Sequence, residues 1–161
     1  PLTSLREASS FAVGNAAANG GVLASDTTPI LAPINGGTDG CQRVNWAAGN
    51  TDQVLFQVPL PPDLDDGGDV VVHARAAMGG ATNTPVITAE AFFNEGDTKV
   101  SAATGAVTGT AYAEYTATFA AADVPSGAQT LTVGLTPGAH AADALYLTAR
   151  WLEYKRKVLA S

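Results

Sequence analysis

From Ile30 onward the chain is a succession of short apolar runs, each alternating with polar residues and each closed by Gly, Pro, Asn or Asp. A two-residue period belongs to strands with one buried face, and it predicts strands near 30–32, 42–47, 53–58, 69–77, 85–93, 111–119, 129–135 and 143–154. Parity then assigns the faces. Val54, Phe56 and Val58 share one side; Val70, Val72, Ala74 and Ala76 share another and leave Val71, His73 and Arg75 opposite. Ile87, Ala89, Ala91 and Phe93, then Tyr115 and Phe119, then Leu131, Val133 and Leu135 continue the core. The last run, ALYLTARWLEY, puts Leu145, Leu147, Ala149 and Trp151 inside and Tyr146, Thr148, Arg150, Leu152 and Tyr154 outside. That outer face is not wholly polar, so a partner is expected there.

With no sustained helical period and no alternation of strands with helices, the pattern predicts an all-β fold: an eight-stranded antiparallel β-sandwich, with a jelly roll the first choice among sandwiches. Residues 1–28 lack a period. They are rich in Ala, Gly, Ser and Asn and read as an extended N-terminal arm, with room for one short strand at 10–13. Such a segment buries too little to be ordered alone and should lie on something else. The rest, 29–161, is one sandwich domain, as the 161-residue length allows.

Seventeen glycines and nine prolines spread along the chain fit many turns. The net charge of −7 disfavours nucleic acid and anionic membranes as partners, yet four of the eight bases fall between Arg150 and Lys157. A basic end sits on an acidic body. Cys41 is the single cysteine, and no run resembles a signal peptide or a bilayer-spanning segment, so synthesis in a reducing cytoplasm is expected. Pro1 fits removal of an initiator methionine or trimming of a longer precursor.

The acidic corner Asp63-Leu64-Asp65-Asp66-Gly67-Gly68-Asp69 looks at first like a calcium loop. Counting from Asp63, the sixth residue is Gly68 as an EF-hand requires, but the fifth is Gly67 and the twelfth is Ala74. Turn chemistry between two strands is the reading taken, with a weak calcium site as its alternative. His73 lies beside Arg75 on the outward parity of its strand, and His140 sits in a turn three residues before Asp143. Neither has a second ligand at metal spacing, and no Ser or Cys is placed to complete a triad. There is no GxSxG, HExxH, CxxC or phosphate-binding glycine loop. The expectation is a protein with no catalytic residues, no cofactor and no metal.

Trp46, Trp151, Tyr112, Tyr115, Tyr146 and Tyr154 fill the core or, in part, form a platform for a sugar. By parity Trp151 belongs inside, and Tyr146 and Tyr154 outside.

The stretches FQVPLPPDLDDGGDVVVHARAAM, TNTPVITAEAFFNEGD and ADALYLTARWLEYKRK resemble small structural proteins of tailed-bacteriophage head-gene clusters, and within these the jelly-roll decoration, or cement, proteins. The resemblance covers roughly residues 40–157 and includes no catalytic motif. It implies a non-enzymatic virion protein, made in the host bacterial cytoplasm. On the capsid exterior it would bridge major capsid protein subunits as a homo-oligomer, a trimer ahead of a dimer. Contacts to the capsid or between copies are then expected from Leu2, Leu5, Arg6 and Phe11 in the arm and from Tyr154, Lys155, Arg156 and Lys157 at the other end. The alternative is a carbohydrate-binding β-sandwich module, free or displayed on a virion as a head fibre or tail component. An enzyme gathering His73 or His140 with acidic groups is the third reading.

Overall fold

A computed structural model of the protein describes residues 6–7, 29–34 and 41–157. Among the described residues there are ten strands: β1 (Arg6–Glu7), β2 (Ile30–Pro33), β3 (Gln42–Trp46), β4 (Val54–Pro59), β5 (Val70–Met78), β6 (Ile87–Phe93), β7 (Val100–Ala103), β8 (Ala113–Phe119), β9 (Thr130–Pro137) and β10 (Leu145–Tyr154). They form two five-stranded sheets, β1-β4-β9-β6-β7 and β2-β3-β10-β5-β8, and all pairings are antiparallel. From β4 to β6 and again from β8 to β10, each strand lies in the opposite sheet from the one before. That alternation gives the jelly-roll type of sandwich.

The eight expected strands are present, and two more join them. β7 has the sequence VSAA, too short and too small-sided to show a period, and gains its place by pairing with β6. β1 pairs Arg6 with Leu55 and Glu7 with Val54, so the arm contributes an edge strand to this chain's own first sheet. Leu2, Leu5, Phe11 and the short strand expected at 10–13 lie outside the described residues.

The core sits between the sheets. Phe56, Ile87, Phe93, Leu131 and Leu135 from one sheet meet Val44, Trp46, Val72, Met78, Phe119, Leu145 and Leu147 from the other, all buried. Phe93 and Phe119 touch edge to face across the gap, centroids 6.3 Å apart. The parity assigned to β4, β5, β6, β8 and β9 holds.

The parity of β10 does not. Its pairing with β5 slips between Leu147 and Ala149: Leu147 faces Ala76, whereas Ala149 faces Arg75. This β-bulge at Thr148 adds one residue and turns every later side chain to the opposite face. Trp151, expected inside, stands outside at 40% exposure. Leu152 and Tyr154, expected outside, pack against the core. Arg150 is also turned inward, and its guanidinium lies 3.8 Å from the centroid of the Phe56 ring in the facing sheet. Burial brings its pKa down to about 10, which leaves it charged at neutral pH.

Candidate functional site

The bulge puts Trp151 directly opposite His73 on the outer face of the second sheet. The two rings stack, centroids 4.8 Å apart and 13° from parallel. His73 has the outward parity its sequence position implies, yet it is only 7% exposed, because the indole covers it. Glu114 of β8 approaches ring nitrogen Nδ1 at 2.7 Å and Glu153 of β10 approaches Nε2 at 3.1 Å. Both carboxylates are open to solvent, Glu114 at 50% and Glu153 at 69% side-chain exposure, so each keeps acceptor capacity beyond its bond to the imidazole. Arg75, Thr116 and Thr118 are exposed on the same face. The arrangement is a flat aromatic surface with hydrogen-bonding groups beside it.

Four of the other aromatic candidates do not join this surface. Trp46 is fully buried and its indole N–H donates to the Asp52 carbonyl at 2.9 Å. Tyr115 packs against the core, as does Tyr154. Tyr146 faces outward, but the Arg43 guanidinium sits 3.7 Å from its ring centroid and occupies that side of the ring.

At the far end of β10 the two charged features of the sequence meet. Lys155 pairs with Asp65 at 2.9 Å, Arg156 with Asp63, and Lys157 with Asp66 at 3.7 Å. The backbone joins as well: Asp65 N–H donates to the Lys155 carbonyl, Lys157 N–H donates to the Asp63 carbonyl, and Leu64 bridges Arg156. Gly68 makes the approach possible, since a Cβ there would lie 2.6 Å from that of Lys155. Asp65 is held below the usual aspartate range by hydrogen bonds from Lys155 and the Gly67 amide, and Asp66 by Ser126, the Gly127 amide and Lys157. The corner is turn chemistry closed by the chain's own cations. A cleft of about 360 Å³ beside it is lined by Leu60, Pro61, Pro62, Leu64, Asp66 and Lys157, among others.

His140 is fully buried, its Nδ1–H donating to the Gly138 carbonyl at 2.7 Å. Asp143 instead accepts the amides of Thr82 and Asn83. The two residues thus hold separate loop contacts. Among the described residues no cluster of three or more His, Cys, Asp or Glu is placed to hold a metal ion. Sequence parity missed the Trp151 surface because the bulge leaves no local signature; the one hint was that neither face of β10 is wholly polar.

No protein-family model and no curated protein matches the chain. Solved structures do resemble it. A xylan-binding module, CBM15, superposes with a TM-score of 0.54 at 12% identity, covering 84% of this chain and 90% of that one. The CBM22-1–GH10 modules of Clostridium thermocellum endo-1,4-beta-D-xylanase 10B, complexed with xylohexaose, give a TM-score of 0.51 at 16% identity. That match covers 86% of this chain but 26% of the xylanase. At such identities what is shared is the fold. The chain has the fold of β-sandwich carbohydrate-binding modules.

Proposed function

We propose that the protein is a non-catalytic carbohydrate-binding module whose binding surface is the outer face of the second sheet around Trp151. The observation that carries this is the exposed indole laid flat on His73 with the Glu114 and Glu153 carboxylates on either side. A sugar ring presents an apolar C–H face that stacks on an aromatic ring and hydroxyls that donate to carboxylates, and this surface offers both. The xylan-binding module that shares the fold makes β-linked xylose polymers the first ligands to try.

A capsid-decoration protein is the runner-up. It requires the same non-enzymatic sandwich but another partner; of its contacts at the C-terminal end, Tyr154, Lys155, Arg156 and Lys157, the last three already have carboxylate partners within the chain. The arm residues of that reading are Leu2, Leu5, Arg6 and Phe11. A glycan array probed with the protein and with Trp151→Ala separates the two. Glycan signal that disappears in the variant supports the module; absence of any signal, with the protein bound to capsids, supports the virion role.

A further inference from the structure

We infer that His73, with protons on both ring nitrogens, is the positioning residue of the Trp151 surface, fixing the indole where a sugar ring stacks; this rests on the glycan-binding reading above. A neutral imidazole has one donor and one acceptor, whereas an ionised carboxylate only accepts. His73 has a carboxylate on each nitrogen, Glu114 at 2.7 Å and Glu153 at 3.1 Å. Both hydrogen bonds exist together only while both nitrogens carry protons. The charged ring also faces an indole, the aromatic group with the strongest attraction for a cation.

Removing one proton sets a nitrogen lone pair against an anion. The contact that yields is Glu153, which makes the longer bond, is the more exposed, and lies two residues from Trp151 on the same strand. The charged groups facing His73 are Glu114 from β8 and Glu153 from β10; on β5 itself Arg75 lies two residues along the same face. The brace is complete while each ring nitrogen donates to its carboxylate. An immobilised side chain that must be ordered afresh costs binding, so loss of the brace weakens glycan affinity about two- to tenfold.

The test uses the intact chain. Trp151 emission, taken as the difference between wild type and Trp151→Phe, is followed without ligand from about pH 5 to pH 8, the range in which histidine changes charge. Affinity for soluble xylan and for glycans positive on the array is measured over the same range. A single emission transition that His73→Gln abolishes, with affinity falling toward high pH in wild type and flat in the variant, is the expected result. Glu153→Gln, at an exposed position, keeps the test open if His73→Gln does not fold: its amide accepts or donates, so it flattens the high-pH loss. Flat wild-type emission, or unchanged affinity and pH profile in both variants, overturns the inference. Emission that titrates with His73 while no glycan binds at any pH removes the binding role and the glycan reading with it, leaving only a structural brace.

Discussion

Two clusters of opposite charges lie along β10, and they come to different ends. At the Asp63–Asp66 corner, Lys155, Arg156 and Lys157 meet the aspartates, backbone amides take up further oxygens, and no aromatic ring is exposed among these groups. Around Trp151, a single imidazole holds two carboxylates beneath an exposed indole. The corner is the more heavily charged, yet its groups are spent on closing the chain. What distinguishes the Trp151 face is apolar surface left open beside unspent acceptors.

The largest effect expected is from deleting Thr148. Without the bulge, Trp151 would turn into the core and Arg150, Leu152 and Tyr154 would turn out, so stability should fall by about 3 kcal/mol or more. Urea unfolding measures it, and an unchanged midpoint would show that the bulge does not set the two faces. Trp151→Ala comes next: glycan affinity should drop by about 2 kcal/mol, roughly thirtyfold, by calorimetry. Its unfolding midpoint should barely move; equal losses in both would make Trp151 a packing residue.

Gly68→Ala probes the corner. Its Cβ would press on Lys155 and cost about 1–2 kcal/mol by displacing the end of β10, without changing glycan affinity. The smallest effect is electrostatic. Asp65 and Asp66 have depressed pKa values, so their contribution is full above the ordinary aspartate pKa and is lost as pH falls through the depressed one. The corner should therefore loosen only in acid, and in about 1 M salt. Protease cleavage near Lys155 against pH and salt measures it, and cleavage that stays flat in acid would show that these pairs do not hold the corner.

The sequence by itself determined the class of fold, because alternation along a strand is a local property. Val54 and Phe56, Val70 to Ala76, Ile87 to Phe93 and Leu131 to Leu135 each carry their own face, and Asp and Gly at 63–69 carry their own turn. The tertiary structure alone decided the site. A bulge is a mismatch between two strands, so nothing within ALYLTARWLEY shows that parity reverses at Thr148; only the register against β5 does. The same holds for His73 with Glu114 and Glu153, and for the corner with Lys155 to Lys157. These groups are far apart in the chain and meet because β5 lies between β10 and β8 in the sheet, an order that no local pattern encodes.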